Sequence, residues 1–210
     1  MHDDLTLPEP SDESLLRAGV RGSDEDLALL TAALDHPRSR TRVLALRGLV
    51  RAGDVSDEQW LATLSDTDVV VRREALTQLS QQAPSVTLAD AVTSMLTDSD
   101  ALVVDAAAFA LGEFLYEPAV TALCDVASTH EDARCREAAI AALGALGHDD
   151  ARAVIIAALR DKPPVRRRAI VALANYEGPD IDDALAMASE DKDWQVRAAV
   201  SQLGIVSDAN

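Results

Sequence analysis

The sequence predicts an all-α, right-handed solenoid of about six two-helix repeats, with no β-sheet. Three observations carry that prediction. First, a nine-residue segment recurs along the chain: TRVLALRGL (41–49), VRREALTQL (71–79), VVDAAAFAL (103–111), CREAAIAAL (135–143), VRRRAIVAL (165–173) and QVRAAVSQL (195–203). Its fifth residue is always alanine (Ala45, Ala75, Ala107, Ala139, Ala169, Ala199) and its ninth always leucine (Leu49, Leu79, Leu111, Leu143, Leu173, Leu203), at separations of 30 or 32 residues. Second, positions one, five and nine lie four apart and stack on one helix face, which the apolar sixth position widens. Third, no stretch shows the sustained apolar–polar alternation of a half-buried strand.

The elements follow in order. Residues 1–11 read as a disordered acidic tail, and a short helix from Asp12 to Val20 caps the array. Each recurring segment is a helix B, and an amphipathic helix A precedes it: EDLALLTAAL, DEQWLATL, LADAVTSML, PAVTALCDVA, ARAVIIAAL and IDDALAMAS. The repeats run over about 23–52, 56–82, 87–115, 117–146, 149–177 and 179–206, so residues 12–206 form one solenoid, with 207–210 as a tail. Ser56 and Gln59 have capping-box spacing, Pro118 and Pro179 suit a first helical turn, and Asp68, Asp100 and Asp193 suit N-caps of B helices. Gly112, Gly144 and Gly204 follow the anchor leucines, where the B helices should begin to end. The small fifth position lets a neighbouring helix approach to roughly 8–10 Å.

Composition narrows the function. The 210 residues carry a net charge of −17, which disfavours neutralising many phosphates. No apolar run reaches membrane-spanning length and the N-terminus lacks a signal-like stretch, so the expectation is a cytoplasmic protein with no membrane contact. Hydrophobic residues are 48% but aromatics only 3%, so alanine, leucine and valine must build the core.

The B-helix motif V-R-x-x-A-x-x-A-L-G follows an A helix ending in Leu-x-Asp (Leu64–Asp66, Leu96–Asp98, Leu159–Asp161). This pattern resembles the short HEAT-like repeats of the phycobilisome-lyase type over about residues 23–206. The resemblance implies an α-solenoid and a function among scaffolds, adaptors and enzymes. Deoxyhypusine hydroxylase, on similar repeats, holds iron with His-Glu pairs near the starts of B helices. The matching places here are Arg73–Glu74, Asp105–Ala106, Glu137–Ala138 and Arg167–Arg168, and none contains histidine. His2, His36, His130 and His148 fall in the tail and in separate turns, so no metal, cofactor or catalytic residue is expected. Cys124 and Cys135 are read as buried free thiols.

Arginine at the second B position (Arg42, Arg72, Arg136, Arg166) is expected to pair with aspartates five to seven residues upstream (Asp35, Asp66, Asp161). That ladder would tie repeats together, with Val104 and Val196 breaking it. The residues that B helices offer to solvent on the expected concave side are the third, seventh and eleventh. They read Arg47, Arg51 and Arg73, then Asp105, Phe109, Glu113 and Glu137, then Arg167 and Arg197. Such a basic–acidic–basic stripe around one aromatic suits a protein segment of complementary charge. The reading is a non-catalytic scaffold or adaptor with a protein partner. The alternatives are a lyase-like or chaperone-type enzyme acting on a client protein and, more weakly, a DNA-binding repeat protein. Trp60 and Trp194 are assigned to core or end positions, and Phe109 to either groove or core.

Overall fold

A computed structural model describes residues 10–204, so residues 1–9 of the predicted N-terminal tail and residues 205–210 lie outside it. The described residues form α-helices joined by short turns and 3-10 segments, the all-α repeat solenoid read from the sequence. The chain divides into two compact units, residues 1–78 and 79–210.

The first unit begins with α1 (Asp12–Arg21), capped by Ser11 and closed by Gly22 in the left-handed conformation. Then come α2 (Asp24–Ala33), α3 (Ser39–Ala52), α4 (Asp57–Leu64) and α5 (Val69–Leu79), the last reaching one residue past the unit. Helix α1 packs on α2 and α3 through Leu15 and Ala18, which share a core with Leu30, Ala33, Ala45 and Leu49. Trp60 is buried in this unit. The capping box of α4 forms as its spacing predicts: Gln59 N donates to Ser56 Oγ (3.2 Å) and Ser56 N to Gln59 Oε1 (2.8 Å).

The second unit holds α6 (Val86–Ser94), α7 (Ala101–Phe114), α8 (Val120–Thr129), α9 (Ala133–Leu146), α10 (Arg152–Ala158), α11 (Pro163–Leu173), α12 (Pro179–Ser189) and α13 (Trp194–Gln202). The B helices α7, α9, α11 and α13 pack in sequence on one another, and α8, α10 and α12 pack against their own B helices. The fifth and ninth motif residues Ala107, Leu111, Ala139, Leu143, Ala169 and Leu173 are fully buried, which is what the spacing demands.

Three local readings are corrected. Gly112 and Gly144 lie inside α7 and α9 rather than at their ends. A Cβ on Gly112 would sit 3.0 Å from the Cα of Ala142, and one on Gly144 would sit 2.8 Å from the Cα of Ala172. These glycines therefore permit close approach of successive B helices. The left-handed closures fall later, at Gly147 and at Leu115 (φ 51).

The sixth B helix is also one residue out of the alanine–leucine register. In the other B helices the N-cap stands four residues before the second motif position, as with Asp132 and Arg136; Asp193 stands four before Arg197, not Val196. Accordingly Val196 and Val200 are fully buried, while Ala199 and Leu203 are only half-buried.

The third correction concerns the arginine ladder, which exists but runs the other way. Arg42 chelates the carboxylate of Asp66 in the following repeat (2.7 and 2.7 Å), Arg136 that of Asp161 (2.6 and 2.7 Å) and Arg166 that of Asp191 (2.8 and 2.8 Å). Upstream, each reaches a backbone carbonyl instead: His36, His130 and Asp161. Arg197 makes the same upstream contact, to the carbonyl of Asp191 (2.7 Å), and so fills the position where the sequence pattern puts a break at Val196. Val104 does break the ladder, and the residue at the receiving position of the next repeat is then His130 rather than aspartate. Both halves of that rung are missing together, so no buried carboxylate loses its partner.

Leu115 is 60% exposed and bears a positive φ that costs an L residue about 1 kcal/mol. Leu115→Gly is expected to raise Tm slightly, glycine's greater freedom in the unfolded chain offsetting part of the relief. A lower Tm in a thermal melt would show that the leucine side chain contributes more packing than its backbone costs.

Candidate functional site

The second unit carries a shallow depression across three successive B helices. Asp105 and Phe109 come from α7, Arg134, Glu137, Ala138 and Ala141 from α9, and Arg168 from α11. Helix α7 buries Val103, Val104, Ala107, Ala108 and Leu111, which turns Phe109 outward to 55% exposure. Opposite it, the alanines of α9 form a low floor. Charges line the end of the depression nearest the helix N-termini. Arg134 grips Asp132, the N-cap of its own helix, at 2.7 Å, and with the backbone N–H of Arg134 it holds that carboxyl down at about 2. Arg168 stands 3.7 Å from Glu137, a looser pair with both side chains part-exposed.

Of the nine residues read as a binding stripe, the structure brings Asp105, Phe109 and Glu137 together here. Glu113 is exposed one turn further along α7, where it lines a second depression with Gln82, Pro84, Val86 and Tyr116. Eight residues advance the helix direction by about 80° from Asp105, and Glu113 lines the second depression whereas Phe109 lines the first. Arg167 instead donates to Gln195 Oε1 (2.5 Å), and Arg197 serves the ladder. In the first unit Arg47 is chelated by Glu74 (2.7 and 2.6 Å), while Arg51 and Arg73 are exposed. Burial pushes the Glu74 carboxyl up, but hydrogen bonds from Arg47 and Gln78 outweigh it and leave it below its ordinary value.

Arg134 and Arg168 are site residues that the motif positions do not pick out. Arg168 sits at the fourth motif position, three before the solvent-facing seventh and so its neighbour on the helix surface, and that adjacency is the signal the sequence offers.

The histidines do structural work in turns. His36 Nδ1 accepts from Arg38 N (3.1 Å), His130 Nδ1 from Asp132 N (3.1 Å) and His148 Nδ1 from Asp150 N (3.2 Å); His2 lies outside the described residues. Among the described residues no group of three or more His, Cys, Asp or Glu side chains is placed to hold a metal ion. Both cysteines are free. Cys135 is buried with Sγ 3.1 Å from the carbonyl of Ala101, and burial pushes its thiol up to about 11. Cys124 is only half-buried, its thiol also raised by burial. Trp194 is 67% exposed at the start of α13. No described helix is long and apolar enough to cross a membrane.

Comparison with known proteins places this architecture. No curated protein sequence matches the chain. Among solved structures, the complex of CpcE and CpcF of phycocyanin lyase from Nostoc is similar with a TM-score of 0.64 at 21% identity, over 72% of this chain. This chain spans 64% of that one. The YibA protein of Escherichia coli gives 0.63 at 20% identity, over 91% of this chain and 73% of that one. Computationally designed armadillo repeat proteins for modular peptide recognition give 0.55 at 12% identity, over 92% and 98%. At these identities the likeness concerns the fold alone. The family model for HEAT repeats matches residues 58–143 and again 120–204, and the chain belongs to the HEAT-repeat family.

Proposed function

We propose that this protein is a non-catalytic interaction scaffold that binds a segment of a partner protein on the B-helix face of its second unit. The observation that carries the reading is Phe109. A large aromatic side chain is held 55% exposed on a rigid helix, beside a low alanine floor and with charged side chains at one end of the depression. An exposed aromatic anchor with a polar rim is the usual composition of a protein-binding hot spot. The stacked helices fix its position in advance, so little ordering cost falls on this side of the complex. Repeat folds of this kind include designed armadillo proteins made for modular peptide recognition, which supports a peptide-like partner.

The test is selection of a displayed random-peptide library against the intact protein, followed by titration of the winners. Phe109→Ala is expected to weaken their binding by about tenfold or more, the loss typical of an aromatic hot spot. It should leave Tm almost unchanged, because the ring is largely outside the core. Selected peptides that bind the Phe109→Ala protein equally well would overturn the assignment.

A further inference from the structure

Between α10 and α12 the second unit holds a small apolar cavity, separate from the depression at Phe109. Ile156 and Leu159 form one wall, Ala184 and Met187 the other, and the fully buried Val196 of α13 backs it. Two charged side chains, Arg160 and Asp191, complete the lining. We propose that this cavity binds a short acidic segment of a partner protein. An apolar side chain of leucine or phenylalanine size enters it, and the carboxylate of an adjacent aspartate or glutamate pairs with Arg160.

Size and charge both support this occupant. The cavity measures about 170 Å³. An apolar cavity of about 150 Å³ takes up a benzene ring, so this one holds a single branched or aromatic side chain. Sites for free small molecules run from about 300 Å³ upward, which favours a side chain delivered by a peptide. Met187 is 69% exposed at the rim, where its unbranched thioether can adapt to the group that enters. Of the two charges, Asp191 is already satisfied: Arg166 chelates it at 2.8 Å, and the backbone N–H of Asp193 donates to it at 2.8 Å. Arg160 is exposed, and among the described residues its guanidinium has no hydrogen-bond or ion-pair partner. The charge open to an occupant is therefore positive, and a guanidinium takes a carboxylate through two parallel hydrogen bonds.

The repeat supplies its own comparison. A depression at the corresponding place lies between α6 and α8, where Thr93, Leu96 and Thr97 take the positions of Ile156, Leu159 and Arg160. Its opposite wall carries Asp125. Hydroxyls and a carboxylate thus stand there in place of an apolar wall and a cation. The spacing of the A helices makes the groove, and the side chains of the last two repeats make it apolar and positive.

The test uses the intact protein with methyl-labelled methionine, read by NMR. Besides Met1, the chain has Met187 at the cavity rim and Met95, 9% exposed, as an internal reference. The probe is a hexapeptide with a central Leu-Glu pair among glycines and serines. It is expected to shift the Met187 signal saturably and leave that of Met95 in place. Replacing its leucine by serine should weaken binding more than tenfold, and replacing its glutamate by glutamine about fivefold. Arg160→Gln should weaken the glutamate peptide about fivefold and leave the glutamine peptide unaffected, the signature of a direct pair. No shift of Met187, or an equal shift by the serine peptide, would overturn the site. Arg51→Gln removes an equal charge from an exposed position of the first unit. If it weakens the glutamate peptide as much as Arg160→Gln, the attraction is diffuse and the assignment is overturned. If phenylpropionate moves Met187 at lower concentration than the peptide, the occupant is a free carboxylic acid and the peptide assignment is overturned.

Discussion

Arg166→Ala is expected to lower the unfolding free energy by about 3 kcal/mol or more, one of the largest losses available to a single side chain in this protein. The guanidinium is only 7% exposed and makes two 2.8 Å bonds to the carboxylate of Asp191, a third to the carbonyl of Asp161, and nothing else replaces them. Removing it leaves Asp191, itself 16% exposed, charged and without its chelating partner, held only by the backbone N–H of Asp193 (2.8 Å). The cost is that of an orphaned buried charge, much larger than the net contribution of the pair. The protein itself suggests the compensated variant, since Val104 and His130 occupy the corresponding two positions where the rung is absent. Arg166→Val with Asp191→His should therefore cost clearly less than the two single substitutions added together. A urea-denaturation double-mutant cycle reads this directly, and strictly additive losses would show that the two residues are not coupled.

The same rung predicts a pH dependence. Hydrogen bonds from Arg166 hold the Asp191 carboxyl below its ordinary value against the opposing effect of burial, and Arg136 does the same for Asp161. A carboxylate with a lowered folded-state pKa adds stability that is fully present above its unfolded value, about 3.9. That stability is lost as pH falls through the lowered folded value. Stability of the native protein should thus decline below about pH 4, and the Arg166→Ala protein should decline less steeply over the same range.

How far the sequence announces these features depends on which physical quantity decides them. Repeat number, helix pairing and the buried alanine–leucine seam follow from spacing alone, and spacing is written in the chain. The direction of the ladder is not. Asp66 and Asp161 each lie a few residues upstream of one arginine and about 25 downstream of another, so both partners are legible and only side-chain reach separates them. The slip in the sixth repeat is hidden because Ala198, Ala199 and Val200 satisfy the apolar pattern in either register. Phe109 is ambiguous for a related reason: α7 is apolar almost all round, so periodicity cannot say which face turns outward. The central site residues Asp105, Phe109 and Glu137 are legible because they fall on solvent-facing motif positions. Arg134 and Arg168 lie just off those positions, and only the three-dimensional arrangement brings them in.

Gly144→Val is the second large effect, and it links the seam to the site. A Cβ on Gly144 would come 2.6 Å from the Cβ and 2.8 Å from the Cα of Ala172, so the obstacle is the backbone of α11 and not a side chain that can swing aside. Helices α9 and α11 must separate or tilt, and a destabilisation of about 3 kcal/mol is expected, at the upper end of ordinary overpacking. Ala145→Val, one residue along and exposed, bears only the lower helix propensity of valine, about 0.5 kcal/mol. Equal losses in chemical denaturation would mean that the helices are not in contact at Gly144. The adjacent helices also carry Glu137 and Arg168, so the displacement should reduce peptide binding even at temperatures where the protein stays folded. Ala172→Gly should restore only part of both properties, because it removes the Cβ and leaves the Cα where it is. The glycine therefore matters to function through the distance between two helices, without touching a ligand.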